Sequence, residues 1–257
     1  MLSKNTISYV KSLYINKYRK INGQFIVEGT KMIHELLQSS YHYTHLFATE
    51  NYLDEYPALN NSLDSRFSTL SQSEMKQISH LTTPPGVLAV VDIPTGSPDM
   101  DVCSHQWVLA LDGINDPGNL GTIIRTADWF GIRHIFCSQD TVDAFHPKVV
   151  QSTMGSVFRV VVSEIELIDL LQYASKTNLP VLGAMMKGKP PETMSQLAGI
   201  LLIGSESHGI RSHLLPHISH PVTIPRFHSA VEAKPESLNA AVAAGILMAV
   251  SRGFEHI

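Results

Sequence analysis

The stretch LDGINDPGNLGTIIRTADWFG, residues 111–131, joins the end of an apolar strand to a Pro-Gly turn and an amphipathic helix. Asn119 is predicted to cap the start of the helix and Gly131 to end it. One side of the helix is apolar and comprises Leu120, Ile123, Ile124, Ala127 and Phe130. Arg125 lies on the other side, where two interpretations are open: an ion pair with Asp128, or contact with a ligand that approaches the glycine-containing turn.

Alternating strands and helices surround this stretch. Strands are predicted at 107–114, 134–138, 158–163, 181–186, 199–204 and 221–225, and helices at 119–130, 146–154, 165–177 and 237–250. Short apolar strands separated by helices indicate an α/β fold whose mostly parallel sheet carries helices on both faces. Because ligands bind beyond the carboxyl ends of such strands, we expect the functional site in the turns that follow them.

The chain is predicted to contain two domains. Two prolines and a glycine at 94–98 separate apolar runs and indicate a linker. We therefore predict a first domain at 1–95, a linker at 96–105 and a second domain at 106–257. The first domain is a smaller α/β structure, with a strand and helix at 25–40, a strand at 44–50, a turn and helix at 68–81 and a strand at 86–93.

The composition is that of a globular protein. The chain has 257 residues, of which 44% are hydrophobic and 16% charged, with no long apolar run and no signal-peptide pattern at its start. We expect a cytoplasmic protein without a membrane segment. Cys103 and Cys137 lack CxxC or zinc-finger spacing, so buried, reduced thiols are predicted rather than a disulfide.

The charge distribution is uneven. A net charge of −4 argues against a protein that coats nucleic acid through bulk electrostatics. Residues 1–31 nevertheless hold six basic side chains and one acidic one, a net charge of +5 that leaves −9 for the rest. The basic residues are Lys4, Lys11, Lys17, Arg19, Lys20 and Lys31. With Tyr9, Tyr14 and Tyr18 among them, this segment predicts either contact with phosphates and bases or a solvated helix face.

Two further turns carry polar residues. The strand at 199–204 runs into GSESHG, where Glu206 is either an exposed loop carboxylate or a group that binds a hydroxyl or a cation. In the last predicted helix, Ser237 is suited to the N-cap and Asn239 lies in the first turn, so both can border a ligand. Gly245 and several alanines make this helix thin, which permits close packing.

Other chemistries fit the sequence less well. Ser207 in SESHG suggests the G-x-S-x-G elbow of a serine hydrolase, but the first glycine, which that sharp turn requires, is missing. His213, His217 and His220 are separated by a proline and have no carboxylate beside them, so no metal site is predicted. The sequence has no G-x-G-x-x-G dinucleotide motif and no GxxxxGK[ST] phosphate loop.

Taken in order, DPGNLGTIIRTADWFG, GSESHG and IP…ESLNAAVAAGI resemble the three motifs of the SpoU (TrmH) family of RNA 2'-O-ribose methyltransferases, in the SPOUT class. The resemblance covers about residues 107–250. Upstream, FIVEGTKMIHELL and TTPPGVLAVV resemble the substrate-binding domain of rRNA-directed members, which is similar to a ribosomal-protein RNA-binding fold. The resemblance implies a trefoil knot, S-adenosylmethionine as methyl donor, a homodimer with sites at the interface, and RNA as substrate, with 23S rRNA favoured over tRNA.

The resemblance also implies the site residues. Positions that match catalytic motif residues are Asn119, Arg125, Glu206, Ser237 and Asn239. Positions that match methyl-donor contacts, made largely through backbone, are Gly204, Ile224 and Leu238. Arg125 is implied to act with an RNA phosphate, either accepting the proton of the 2'-hydroxyl or holding the phosphate and orienting the hydroxyl. Ten residues separate Pro225 from Glu236, a longer loop than the family pattern, which leaves a catalytically silent RNA-binding module as an alternative.

Overall fold

A computed structural model describes residues 2–57, 65–191, 198–227 and 237–252. The helices are α1 Lys4–Ser12, α2 Asn16–Asn22, α3 Thr30–Leu37, α4 Glu50–Glu55, α5 Gln72–Ile78, α6 Pro117–Trp129, α7 Pro147–Thr153, α8 Leu167–Thr177 and α9 Ala240–Arg252. The strands are β1 Gln24–Glu28, β2 Tyr43–Thr49, β3 Phe67–Leu70, β4 Val87–Asp92, β5 Trp107–Asp112, β6 His134–Cys137, β7 Val161–Glu164, β8 Val181–Lys189, β9 Gly199–Gly204 and β10 His220–Val222. None of the helices in the described ranges is long and apolar enough to cross a bilayer.

The chain forms two compact units. The first comprises residues 1–96 and 143–158, and the second comprises 97–142 and 159–257. The domain bounds drawn from the sequence stay a prediction. Each predicted domain is one continuous stretch of the chain, whereas the first compact unit also includes the separate segment that carries α7.

The first unit contains a four-stranded sheet in the order β1-β4-β2-β3. Only the β2–β3 pair is parallel, and the other two pairs are antiparallel. Successive side chains of a strand point to opposite faces, and here both faces are buried. In β1, Phe25 and Val27 lie in one hydrophobic cluster and Ile26 in the other. This arrangement explains the continuous apolar run that predicted the strand.

Two side chains of the basic N-terminal segment are taken up by the first unit, whereas its five lysines are exposed. Arg19 is only 1% exposed, and its Nε and Nη2 atoms donate to Asp143 Oδ2 at 2.8 and 2.7 Å. The Tyr14 hydroxyl donates to Glu28 at 2.6 Å, and burial together with that carboxylate raises the pKa of Tyr14 far above its usual value. Tyr18 keeps a partly exposed ring. Arg19 and Tyr14 therefore stabilise the unit and are removed from the predicted nucleic-acid contacts.

The second unit confirms the predicted α/β fold with a parallel sheet. Its six strands lie in the order β10-β8-β9-β5-β6-β7, and every neighbouring pair is parallel. β5 and β9 pair along their whole length, from Trp107 beside Gly199 to Asp112 beside Gly204. The turns after these two strands therefore leave the same edge of the sheet. The trefoil knot stays a prediction.

Two predicted helix caps are wrong. α6 begins at Pro117, and its N-cap is Asp116, whose Oδ1 accepts from the Asn119 backbone N–H at 2.8 Å. Proline is favoured at the first helical position, which moves the cap to the residue before it. At α9, the Oδ1 atom of Asn239, not Ser237, accepts from two backbone N–H groups of the first turn, at 3.0 and 3.2 Å. Gly131, with φ of +70°, follows α6 as predicted.

Both cysteines are buried and free, as predicted. Burial raises the pKa of Cys103 to about 11 and that of Cys137 to about 12. Both thiols therefore stay protonated near neutral pH and act as small apolar core groups.

Candidate active site

The three predicted turns meet at one hydrogen-bonded cluster in the second unit. Asn119 Nδ2 donates to Glu206 Oε1 at 2.8 Å, and Asn239 Nδ2 donates to Asn119 Oδ1 at 2.9 Å. The backbone N–H of Ala240 also donates to Glu206 Oε1, at 2.9 Å. Residues that are far apart in sequence thus share one network, which we call the Asn-Glu-Asn network (Asn119, Glu206, Asn239).

A tight loop after β9 positions Glu206. The Gly209 N–H donates to the Ser205 carbonyl at 2.8 Å, and the Ser205 N–H donates back to the Gly209 carbonyl at 3.2 Å. Gly209 has φ of +66°, a conformation that favours glycine. The loop folds so closely over Gly204 that a Cβ atom there would lie 2.1 Å from the Gly209 carbonyl carbon. Glycine at 204 and 209 therefore permits the turn that presents the carboxylate.

An ion pair between a buried aspartate and a partly exposed arginine holds the far end of this loop. Asp112, at the end of β5, is buried and accepts the backbone N–H of Arg211 at 2.8 Å. The Nε and Nη2 atoms of Arg211 both lie 2.5 Å from Asp112 Oδ1. Sequence analysis missed this pair. The signal was an aspartate at the end of a buried strand, a position that requires a partner.

Asp112→Asn is expected to lower the free energy of unfolding by about 1–2 kcal/mol, because the asparagine keeps one acceptor but loses the ion pair. The partial exposure of Arg211 keeps the loss below that of a fully buried pair. Urea denaturation measures it. Asp140→Asn is the matched control, since Asp140 faces the same guanidinium at 3.3 Å from an exposed position. Equal losses for the two variants would contradict the distinction.

A large cavity adjoins the Asn-Glu-Asn network. Its volume is about 1020 Å³, at the upper end of the roughly 300–1,000 Å³ typical of ligand pockets. The predicted site residues that line it are Gly204, Glu206, Ile224, Ser237 and Leu238. Asn119 instead lines a smaller pocket of about 130 Å³, and Glu206 lines both. Glu206 is therefore the network residue that the two cavities share, whereas Asn239 lines neither of them.

Arg125 lies outside the residues that line either cavity. It is exposed on α6 and forms no hydrogen bond or ion pair with the described part of the chain. Asp128 is occupied by other cations, because Arg133 Nη1 lies 2.6 Å from Oδ1 and Arg159 Nε 2.8 Å from Oδ2. The interpretation of Arg125 as an ion-pair partner of Asp128 is therefore wrong.

The described residues complete neither the catalytic triad of a serine hydrolase nor a metal-binding group. Ser207 Oγ lies 2.8 Å from Nδ1 of the adjacent His208, but no carboxylate of the described ranges hydrogen-bonds to that histidine, as a catalytic triad requires. Nowhere in those ranges do three or more histidine, cysteine, aspartate or glutamate side chains form a group that could hold a metal ion.

Comparisons with known proteins match both parts of the chain. A model described as the SpoU rRNA Methylase family matches residues 106–249, and one described as the MRM3-like substrate binding domain matches residues 4–89. The 23S rRNA (guanosine(2553)-2'-O)-methyltransferase RlmP of Bacillus subtilis is 29% identical over 247 residues, 95% of this chain and 94% of the relative.

Two solved structures are similar over almost the whole chain. A TrmH-family protein from Porphyromonas gingivalis is 36% identical, with a TM-score of 0.82 over 96% of this chain and 97% of its own. An AdoMet-bound rRNA methyltransferase from Sinorhizobium meliloti is 26% identical, with a TM-score of 0.81 over 96% of this chain and 94% of its own.

Fold, site and comparisons together define an RNA methyltransferase with a parallel α/β methyltransferase unit. The chain belongs to the SpoU rRNA methylase family, which confirms the resemblance seen in the three motifs, and it also carries an MRM3-like substrate-binding domain.

Proposed function

We propose that this protein transfers the methyl group of S-adenosylmethionine to a ribose 2'-hydroxyl in RNA. Ribosomal RNA, 23S rRNA first, is the favoured substrate and tRNA the second. The observation that carries the proposal is the Asn-Glu-Asn network, because it joins the three motif turns to one another through Glu206, whose side chain lines the large cavity. The Bacillus subtilis relative, named as a 23S rRNA 2'-O-methyltransferase, supports the choice of acceptor and RNA.

The large cavity fits the methyl donor. Its volume accommodates a nucleoside joined to an amino acid, and its lining combines apolar side chains with the backbone around Gly204 and Ile224. Glu206 places a carboxylate on the wall, where it complements a cationic ligand. The Sinorhizobium meliloti relative binds AdoMet, which supports the same ligand here. When bound, the donor supplies an electrophilic methyl carbon.

The attacking hydroxyl must be oriented by the chain and must lose its proton. A 2'-hydroxyl is a poor nucleophile at neutral pH and loses its proton as it attacks. A guanidinium stays protonated in proteins, so Arg125 is better suited to bind a phosphate bidentately than to act as a base. In this proposal Arg125 holds an RNA phosphate and orients the hydroxyl, so that the bond from its oxygen to the methyl carbon forms as the sulfur–methyl bond breaks and its proton passes to solvent water. The network of Asn119, Glu206 and Asn239 fixes the Glu206 carboxylate at the wall beside the donor.

We further propose that the protein is a cytoplasmic homodimer and that its methyltransferase unit contains a trefoil knot. α9 lies against α6, where Gly245 is next to Thr126, and it exposes Val242 and Ile246, which are 51% and 36% accessible. An exposed apolar helix face suits a contact between two copies. Arg125 lines neither of the two described cavities of its own chain, and in the proposed dimer it serves the cavity of the second copy.

Incubation of unmodified 23S rRNA and tRNA with methyl-tritiated S-adenosylmethionine tests the proposal. We expect label in rRNA at a linkage that resists alkali, since a 2'-O-methyl group blocks hydrolysis at that position. Label on a base would contradict the ribose assignment. Donor binding without transfer to either RNA would indicate the catalytically silent module. Labelling of Ser207 by a fluorophosphonate, with no methyl transfer, would indicate the hydrolase instead.

A further inference from the structure

An exposed tryptophan lies at the end of α6, one turn after Arg125 and next in sequence to Asp128, which binds two further arginines. Trp129 is 84% exposed, although tryptophan is among the side chains that gain most from burial. Arg125 precedes it by four residues, so the two side chains lie on the same side of the helix, about 40° apart. We call the group of Arg125, Asp128, Trp129, Arg133 and Arg159 the arginine–tryptophan patch.

One carboxylate holds two of the three arginines of this patch. Asp128 receives Arg133 on one oxygen and Arg159 on the other, while the two arginine side chains remain 47% and 40% exposed. Their guanidinium groups are thereby held in place with part of their surface facing solvent. A cation that is already fixed loses less conformational entropy when it binds an anion.

The patch is positively charged on a chain that is not. It has three guanidinium groups against one carboxylate, whereas the whole chain has a net charge of −4. A twofold contact between two copies centred here would bring like charges together. Charge complementarity therefore favours a polyanion as the occupant over a second copy of the chain.

We propose that the arginine–tryptophan patch binds single-stranded RNA, with Trp129 stacked on a base and the arginines on neighbouring phosphates. Stacking on an exposed aromatic ring and phosphate contact by arginine are how proteins hold unpaired RNA. A paired base in a duplex does not offer its face to the ring. This inference rests on the proposed function, since it adds a second RNA contact to the same reaction.

Within the patch, Trp129 holds a nucleotide that flanks the methylated one. Trp129 lies ten residues beyond Asn119 on α6, which places it about 15 Å along the helix axis from the Asn-Glu-Asn network. At that distance the ring cannot touch a ribose held at the network of its own chain. In the cavity of a second copy, Arg125 holds the phosphate of the reacting nucleotide, and the ring, one turn further along α6, meets a neighbouring nucleotide. Trp129 therefore contributes to RNA affinity and leaves donor binding and the chemical step unaffected.

The tryptophan content of the chain makes the test direct. The chain has two tryptophans, and the other, Trp107, is buried. A mixed-sequence single-stranded RNA of about 12 nucleotides is titrated into the protein without donor, and the same RNA as a duplex is titrated in parallel. We expect the single strand to quench the fluorescence of the wild type and the duplex to quench it less. In Trp129→Phe, where Trp107 alone reports, we expect no quenching.

Binding and turnover of surface variants complete the test. Trp129→Ala is expected to weaken single-stranded RNA binding on the order of tenfold, and Trp129→Phe less, because phenylalanine can still stack. Arg133→Gln with Arg159→Gln should weaken binding and reduce its salt dependence. Donor affinity and turnover at saturating RNA should match the wild type in all of them.

Two results would overturn the proposal. One is unchanged RNA affinity in Trp129→Ala with no quenching in the wild type. The other is a Trp129 emission that shifts with protein concentration in the absence of RNA, which would show that a second copy covers the ring. Quenching without methyl transfer to any RNA would refute the proposed function but not RNA binding by the patch. Methyl transfer without quenching would refute RNA binding by the patch but not the proposed function.

Discussion

Replacement of Arg125 by alanine is expected to reduce methyl transfer to RNA by about 10²- to 10⁴-fold, the usual scale for a lost acid-base or positioning group. The affinity for S-adenosylmethionine should stay that of the wild type, because Arg125 does not line the donor cavity. Stability should also be unaffected, since the side chain is exposed and forms no ion pair or hydrogen bond with the described residues. Single-turnover transfer and calorimetry with the donor measure the two quantities separately.

Two variants sharpen this prediction. Arg125→Lys keeps the charge but loses the planar fork that binds a phosphate bidentately, so we expect it to recover only part of the rate. Arg133→Ala removes a neighbouring exposed arginine that is already paired with Asp128, and its effect should be confined to RNA affinity. If Arg125→Ala lost donor binding to the same degree as transfer, the arginine would belong to the donor pocket and the phosphate role would be wrong.

Local patterns predicted the elements that carry the site. β9 forms at the predicted residues, 199–204. A short apolar run bounded by glycines is typical of a strand that is buried on both faces of a parallel sheet. The start of α6 was predicted within two residues, but the competition between Asp116 and Asn119 for the cap depends on backbone geometry at Pro117. Caps are single hydrogen bonds, and several polar residues near a helix start can make them.

Pairings between distant residues could not be predicted. Asp128 has Arg125 one turn away on its own helix, yet it bonds to Arg159, which is 31 residues away along the chain. The Asp112–Arg211 pair joins residues 99 apart. Such choices depend on the sheet order, which places β7 beside β6 and β9 beside β5. The motif resemblance compensates for this at the site, because it assigns positions 119, 206 and 239 to one site without information on their contacts.

Gly204→Ala is expected to have the second largest effect. A Cβ atom at this position would meet the Gly209 carbonyl carbon at 2.1 Å and its oxygen and the Ile210 nitrogen at 2.3 Å. All three are backbone atoms, so no side-chain rotation relieves the overlap and the loop that carries Glu206 must move. Strain of this kind costs about 3 kcal/mol at the upper end of overpacking effects. We expect donor affinity to fall by about 100-fold, the same free energy expressed as binding.

The matched control for Gly204→Ala is Gly245→Ala. A Cβ atom on Gly245 would lie 3.7 Å from Thr126 Cγ2, an ordinary contact, and alanine is favoured over glycine inside a helix by about 1 kcal/mol. This variant should bind the donor normally and be at least as stable as the wild type in urea. Calorimetry on Gly204→Ala then distinguishes loop displacement from general unfolding, because displacement lowers donor affinity while the urea transition stays cooperative. Wild-type donor affinity and stability in Gly204→Ala would mean that the loop does not close over Gly204, and Glu206 would then have no fixed place beside Asn119.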